Sequence, residues 1–380
     1  MSGILLKEMS FTMKSIKAFI KRKGIIISFQ RYGIDALGAM AQGLFCTLLV
    51  GTILNTLGQQ FGIAFLNRTI VTIGSGDGAV SYTIGSLASA MVGPGIAMAI
   101  GAALNCPNLV LFSLIPVGFA ANAMGGAGGP LAVYFIAIIA AECGKLVSKE
   151  TRIDILVTPC VTILLGIGAA CVIAHPIGIA AKSIGHAIIW STELQPFFMG
   201  ILVSAIIGIT LTLPISSAAI CAAFGLTGLA GGAAVAGCCA QMVGFAVMSF
   251  RENRWAGLVA QGLGTSMLQM PNIVKNPKIW IPPILASMIT GPLATCVFKL
   301  EMNGSPVASG MGTCGLVGPI GVYTGWLKDI ASGAKSAITP MDWISMALIS
   351  VVLPAALSFL FCRLLRKWQW IADEDLKLDL

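Results

Sequence analysis

The chain contains 380 residues, of which 57% are hydrophobic and only 10% are charged, and its mean hydropathy is +0.91. A soluble domain carries roughly 25% charged residues, so this chain has too few polar side chains to cover a surface that faces water. The composition therefore excludes a soluble globular protein and predicts a chain whose main solvent is membrane lipid.

The formal charge of +8 is concentrated at the two ends of the apolar region. Basic side chains that flank membrane spans mark the cytoplasmic side, so we expect both termini in the cytoplasm of a bacterial cell and an even number of crossings of its plasma membrane. The same placement argues against nucleic-acid binding as the reason for the positive charge. The basic residues concerned are Lys7, Lys14, Lys17, Lys21, Arg22, Lys23 and Arg31 before the first span and Arg363, Arg366 and Lys367 after the last.

Residues 1–32 are predicted to form a basic amphipathic segment. Apolar side chains recur there at helical spacing with lysines on the other flank, which is typical of a helix on the inner membrane surface; a solvated basic tail is the alternative. No cleavable signal peptide is expected, because residues 8–23 contain neither an apolar core nor a small-residue cleavage site. The apolar positions are Met9, Met13, Ile16 and Ile20, and the basic ones are Lys14, Lys17 and Lys21.

Residues 33–370 form the predicted transmembrane domain, and an acidic tail, residues 371–380, follows it. Because a bilayer core of about 30 Å needs roughly 20 apolar residues per helix, the hydropathy predicts an all-α polytopic membrane protein with about eight to ten spans and one or two re-entrant segments. The apolar runs lie near residues 34–57, 79–104, 108–121, 130–147, 153–181, 197–213, 232–250, 281–298 and 342–365.

Glycine accounts for 45 residues, and many of them are clustered near residues 125–129 and 225–237. Small residues allow helices to pack closely in lipid, which is one explanation of the clusters. The density also favours broken helices, which survive at membrane depth only where they are buried in protein or line a wet cavity. Many transporters build a solute site from such breaks, and we adopt that interpretation.

Amide and carboxylate side chains interrupt the apolar segments at several positions. Hydrogen bonds between helices explain part of this pattern. Amides and hydroxyls also suit a neutral polyol, because they donate and accept hydrogen bonds without adding charge. The interrupting residues are Asn55, Asp77, Asn105, Asn122, Gln241, Gln261, Gln269 and Asn272.

The cysteines and histidines do not form a recognisable site. Most of the 11 cysteines lie in apolar stretches, none belongs to a CxxC pair, and the only histidines are His175 and His186. We therefore expect no metal site, no cofactor and no disulfide framework. The chain also lacks the GxSxG, HExxH and GxxxxGK[ST] signatures, so no catalytic residue is assigned and enzymatic activity stays an open question.

From about residue 120 to residue 325, four motifs occur in an order that resembles enzyme IIC, the membrane subunit of the fructose-type sugar phosphotransferase system. The run 149–154 with the following LVTPCVTILLGIGAACVIAHPIG is similar to the family's K-x-D-I-x-x-x-P segment and G-P-P-I turn. The stretch that ends at Pro214, Ser216 and Ser217 is similar to the G-G-P-x-N-K-A-A motif. RENRWAGLVAQGLGTSMLQMPNIVKNPKIWIPP follows the E-R-x-A-G, G-I-T-E-x-x-I-P and D-P-x-x-x-I-P series, and GMGTCGLVGP takes the place of the P-H-G-G loop.

Three departures from the family pattern alter what the resemblance implies. In the family, the glutamate of G-I-T-E contacts sugar hydroxyls, whereas Met267 stands at that position here. Ser216 and Ser217 replace an asparagine and a lysine, and the histidine of P-H-G-G is absent. Because a thioether is a poor hydrogen-bond acceptor, we expect weaker binding or a less hydroxylated solute. The altered pattern resembles a divergent branch of the family that includes the perfringolysin O regulator.

The leading hypothesis is a membrane transporter of a small polar solute, a sugar or a sugar-like molecule, which paired re-entrant turns bind by hydrogen bonds. The resemblance implies a homodimer, an elevator-type motion and a separate phosphoryl-carrier protein. The alternatives are a ligand sensor or regulator without net transport, and an ion-coupled transporter that would need Asp35, Asp77 or Asp154 inside the membrane. The side chains expected to bind the solute are Ser216, Ser217, Thr265, Ser266, Gln269 and Asn272, with Asp77 and Asn122 as further candidates.

Overall fold

A computed structural model describes residues 18–74 and 78–378, and 79% of these residues are helical. The first group of elements is α1 (Gln30–Phe61), α2 (Ala64–Asn67), β1 (Val71–Ile73), β2 (Val80–Tyr82), α3 (Ile84–Ala90), α4 (Val92–Ala103), α5 (Asn108–Gly125), α6 (Gly129–Val147) and α7 (Asp154–Thr192). The second group is α8 (Pro196–Thr212), α9 (Ser217–Ala223), α10 (Gly228–Met248), α11 (Phe250–Val259), α12 (Met270–Lys275), α13 (Pro277–Val297), α14 (Pro306–Ser309), α15 (Val317–Ala331) and α16 (Pro340–Lys367). The two short strands pair antiparallel.

The helices confirm an all-α polytopic membrane protein. Among the described residues, 6 helical stretches are long and apolar enough to cross a membrane, or 7 if α3 and α4, which are bent by 52°, form one broken span. One of the stretches, Asn108–Val147, folds back on itself, and α8 is a shorter apolar helix. The predicted range of eight to ten spans is reached only if the two arms of Asn108–Val147 and the helix α8 are each counted as spans.

The glycine cluster at residues 125–129 turns a long apolar stretch into a hairpin. Gly126 has φ +53° and ψ −123°, a conformation that a side chain would strain. The arms α5 and α6 run antiparallel along their length, because a Cβ on Gly144 near the end of α6 would lie 2.8 Å from Val110 near the start of α5. The break predicted from glycine density is therefore present here.

The chain forms two halves, each of which has its own helix contacts. In the N-terminal half, residues 30–192, α5, α6 and α7 pack against one another and α1 packs on α4. In the C-terminal half, residues 196–378, α10 lies at the centre between α8, α13 and α16. Almost all of α10 is buried, whereas α7 and α16 expose long apolar faces such as those at Leu164 and Phe359, as helices next to lipid do.

Close helix contacts depend on small residues. In the C-terminal half, Gly237 of α10 lies directly against the backbone carbonyl of Ser204 of α8, with no space for a Cβ. The Ser204 hydroxyl also donates a hydrogen bond of 2.7 Å to the Ser287 carbonyl of α13. Backbone approach of this kind supplies the van der Waals contact that holds helices together in lipid.

The described parts of the two termini lie at the same end of the molecule. Asp35 near the start of α1 and Lys377 of the tail line one cavity. Lys23 and Arg22 form ion pairs with Glu150 in the turn between α6 and α7, and the hydrogen bond from Lys23 together with the charge of Arg22 lowers the pKa of that carboxyl. The segment with Met9, Met13 and Ile16 lies outside the described residues, and a cytoplasmic location of this end stays a prediction.

Replacing Gly237 with alanine should destabilise the protein by about 1–3 kcal/mol, because the added methyl group forces α8 and α10 apart. Gly168 of α7 is the matched control, since a Cβ there meets nothing within 4 Å and alanine is the better helix former. Thermal unfolding in detergent should show a lower midpoint for G237A and an unchanged or higher one for G168A. Equal midpoints for the two variants would contradict the close packing of α8 on α10.

Candidate functional site

Polar residues follow the boundary between the two halves, along one side of α1. We call this boundary the seam. It contains a cavity near each end of that helix. The tail cavity, of about 270 Å³, is lined by Asp35, Gln42, Asn272, Lys275 and Lys377, among others. The far cavity, of about 320 Å³, is lined by the side chains of Thr52, Asn55, Thr56, Gln59, Ser305 and Thr324, among others.

The two cavities differ in charge. The tail cavity combines one carboxylate, Asp35, with the amines of Lys275 and Lys377. The far cavity is lined by hydroxyls, amides and apolar groups, with no charged side chain. Uncharged groups that both donate and accept are suited to a neutral, hydroxylated solute.

A packed region of α1 separates the cavities. Between them, the Phe45 ring fills the space where a Cβ of Gly264 would be, and Ile53, at the edge of the far cavity, does the same at Gly315, which has φ +50°. The positions that line the two cavities, Gln42 and Thr52, are about 15 Å apart along the helix at 1.5 Å per residue. The seam is therefore closed between its two ends by side chains seated on loop glycines.

The first turn of the C-terminal half, which joins α8 to α9, carries Ser216 and Ser217. After α8 the chain turns at Pro214, and the Ser216 hydroxyl accepts a hydrogen bond from the Ala219 N–H, capping α9. The Ser216 N–H donates to the Ala127 carbonyl at 3.0 Å, so this turn meets the tip of the α5–α6 hairpin. Asn122, one turn before that tip, packs against Gly129.

A third turn, residues 305–316, meets the first one. The Ser217 hydroxyl donates a hydrogen bond of 2.7 Å to the Gly310 carbonyl, and the Ser309 hydroxyl donates one of 2.7 Å to the Leu226 carbonyl. The third turn also lies against the middle of α10, where Gly312 packs on Cys238. The resemblance to the family predicts a loop at GMGTCGLVGP, but nothing in the sequence indicates its contact with Ser217.

The second turn, residues 264–272, carries Thr265 and Ser266. The Thr265 hydroxyl accepts a hydrogen bond of 3.1 Å from the Met267 N–H, which caps the short turn Ser266–Gln269. The Ser266 hydroxyl lies 2.8 Å from that of Thr212 at the end of α8. Through this contact the second turn lies next to the end of α8, where the first turn begins. The residue that makes the contact is Thr212 and not Ser216.

Gln241 of α10 lies next to this contact. Its side-chain carbonyl accepts hydrogen bonds from the Trp280 indole at 2.9 Å and from Thr212 at 3.3 Å. Its amide nitrogen is buried and has no partner among the residues that the structure describes. A buried donor without an acceptor costs about 1–3 kcal/mol, so this nitrogen is a group that a polar ligand or a water molecule can satisfy.

A chain of buried amides continues from the second turn towards the tail cavity. Gln269 donates a hydrogen bond of 2.9 Å to the Gln261 side chain and accepts one of 2.9 Å from Asn272. Gln269 and Asn272 also donate to the carbonyls of Leu376 and Lys377, at 2.9 Å and 2.7 Å. The amides predicted to bind solute are thus satisfied by the backbone of the tail.

The tail is docked through further contacts. Asn253 donates a hydrogen bond of 2.7 Å to the Leu376 carbonyl and accepts one of 2.8 Å from the Leu378 N–H. The Leu376 and Ile371 side chains are buried. Residues 371–378 therefore lie on the second turn and close the seam at the tail cavity.

The predicted site residues thus fall into two groups that Thr212 joins. Ser216 and Ser217 lie where the first turn meets the hairpin tip and the third turn, whereas Thr265, Ser266, Gln269 and Asn272 belong to the second turn. Asp77 lies outside the described residues. Met267, at the position of the family's glutamate, is buried. In the described part of the chain, no group of three or more His, Cys, Asp or Glu residues could hold a metal ion.

Two contributors to the seam were not predicted from the sequence. The far cavity has a signal in the sequence, because Thr52, Asn55, Thr56 and Gln59 recur at the spacing of one helix face. The tail had a weaker signal: Ile371 and Leu376 are isolated apolar residues in an acidic segment, and nothing in that pattern indicates which surface would bury them.

The chain was compared with known families, curated proteins and solved structures. The family model described as phosphotransferase system, EIIC, matches residues 34–378. No curated protein and no solved structure matches the chain. Because the family match extends from the first turns of α1 to the docked tail, the protein belongs to the EIIC family of the phosphotransferase system, whose members are membrane-embedded sugar-transport components that work with other proteins of that system.

Proposed function

We propose that this protein carries a small polar solute, a sugar or a sugar-like molecule, through the seam between its two halves. One observation carries the proposal: a polar cavity lies near each end of α1, and packed side chains separate the two. A transporter needs access from both sides without a continuous channel, and membrane transporters often place the solute at broken helices between two bodies. The three turns, where helices of the C-terminal half are interrupted, lie between the two halves.

The proposed solute site is the junction of the turns beside Gln241. Ser266, Thr265 and Gln269 offer hydroxyl and amide groups there, Ser216, Ser217 and Asn272 extend the polar surface, and Asn122 lies behind the hairpin tip. The unpaired Gln241 nitrogen supplies a donor. Since Met267 replaces the family's carboxylate, recognition rests on neutral hydrogen bonds, which are weaker than charge-assisted ones.

The proposed mechanism is an elevator-type motion of one half past the other in a homodimer. Each half is held together by contacts among its own helices, so the halves can change their relative position without breaking a helix within either half. Motion in one direction would open the far cavity to the solute. Motion in the other would open the tail cavity, once the tail is released from Gln269 and Asn272.

The setting of this function is a bacterial plasma membrane, with the tail cavity on the cytoplasmic side, where basic residues are placed. A separate phosphoryl-carrier protein would act on the solute from that side. The loss of the family's glutamate favours the divergent branch that includes the perfringolysin O regulator. A ligand sensor needs only one cavity, so two cavities on one seam favour transport over sensing.

Replacing Gln269 with leucine should weaken solute binding by about tenfold or more, because the second turn loses one polar group and its neighbours lose their partner. The ligand would first be identified by thermal shift of the wild-type protein with sugars, polyols and nucleosides. The stabilisation that it gives should then be lost in Q269L.

Asn253→Leu is the matched control for this experiment. It also removes a hydrogen bond to the Leu376 carbonyl and so loosens the tail, but Asn253 lies outside the second turn. N253L should keep the ligand-dependent stabilisation. Equal loss in both variants would assign the effect to the tail, and full binding by Q269L would remove Gln269 from the site.

Replacing Phe45 with alanine should let small polar molecules leak through the protein, because this ring closes the seam between the two cavities. The measurement is the rate at which proteoliposomes shrink and re-swell in glycerol, followed by light scattering. Phe112 of α5, an exposed aromatic residue on the outer face, provides the control variant F112A. Equal permeability of F45A and F112A vesicles would contradict the barrier.

A further inference from the structure

A cavity separate from the seam lies where α10 ends and α16 ends. Its volume is about 590 Å³, and four arginines line it: Arg251, Arg254, Arg363 and Arg366. We call it the arginine pocket. It belongs to the C-terminal half alone, and none of the residues that bind the proposed solute lines it.

Positive charge exceeds negative charge in the arginine pocket. Arg366 forms ion pairs with Glu252 and, at 3.2 Å, with Asp373 of the tail, and Arg251 pairs with the same aspartate at 3.1 Å. Arg254 and Arg363 form no ion pair with any residue that the structure describes. Two guanidinium groups are therefore left for an anion, and Arg254 has φ +51°, which is uncommon for a residue other than glycine.

The wall beside these arginines is apolar and continuous with the lipid-facing surface. Val247, Leu258 and Phe359 contribute to it. The Phe359 side chain is 52% exposed, and Leu360 next to it on α16 is 60% exposed. In a membrane protein, such a face is covered by acyl chains, so the pocket opens on hydrocarbon at one side.

The depth of the pocket corresponds to the headgroup region. Two apolar helices, α10 and α16, end beside it, the exposed Trp255 lies in its wall, and the exposed Trp368 and Trp370 follow the end of α16 in the chain. Tryptophan is enriched at membrane–water interfaces. The arginines therefore lie where lipid phosphates are and the apolar wall lies where their chains begin.

We propose that the arginine pocket binds one acidic phospholipid, with its phosphate between Arg254 and Arg363 and an acyl chain along Phe359 and Leu258. Guanidinium groups match the oxygens of a phosphate with paired hydrogen bonds. A zwitterionic lipid brings its own ammonium group, which the surplus of arginine disfavours. A free phosphate would leave the apolar wall unused, so the charge and the wall together select a lipid.

The experiment measures quenching of Trp255 by lipids with brominated acyl chains in vesicles that contain the full-length protein. The Trp255 signal is the difference between the wild-type protein and W255F. Brominated phosphatidylglycerol should quench it at about a tenfold lower fraction of the lipid than brominated phosphatidylcholine, given the attraction between basic residues and acidic headgroups. R254Q/R363Q should reduce that preference to about twofold or less.

The control is R68Q/R152Q, which removes the same charge from two exposed arginines elsewhere and should keep the wild-type preference. R363Q alone, an exposed change on α16, should give an intermediate value, so that the result does not depend on the folding of the double variant. Equal quenching by the two lipids in the wild-type protein, or an undiminished preference in R254Q/R363Q, would overturn the proposal. Relief of quenching by millimolar inorganic phosphate would reveal a site for soluble anions and would also overturn it.

Discussion

Backbone groups that are buried away from water need hydrogen-bond partners, and the turns of the C-terminal half supply such partners to one another. The Gly310 carbonyl accepts a hydrogen bond from Ser217, and the Leu226 carbonyl accepts one from Ser309. Lipid offers no hydrogen bonds, and each unsatisfied group there costs several kcal/mol. The turns therefore have to be buried against one another, and this places hydroxyls and amides together next to α10.

The need to bury these turns also determines where α1 packs. Glycines in the second and third turns leave space that Phe45 and Ile53 fill, so the helix from the other half closes the seam. The polar parts of α1 on either side of this contact are left to line cavities. The packed barrier between the two cavities thus results from how the turns are covered.

Much of the fold could be predicted from the sequence, because its signals are local. Apolar runs predicted the spans, and glycine density predicted the break at residues 125–129, whereas most of the cluster at residues 225–237 lies inside the continuous helix α10. The contact between Ser217 and Gly310 joins residues 93 positions apart and has no periodicity that would reveal it. Docking of the tail could not be predicted either, because the side-chain amides of Gln269 and Asn272 can form hydrogen bonds with a peptide backbone as well as with a solute.

The proposed transport mechanism requires the two halves to move relative to each other. Gln42 and Lys275 lie on opposite sides of the tail cavity, one on each half, and cysteines at both positions can be joined by a reducible cross-linker. The account predicts that uptake by proteoliposomes stops when the halves are joined and returns after reduction, with cross-linker-treated wild-type protein unaffected. Uptake that continues at an unchanged rate through the cross-linked protein would contradict it.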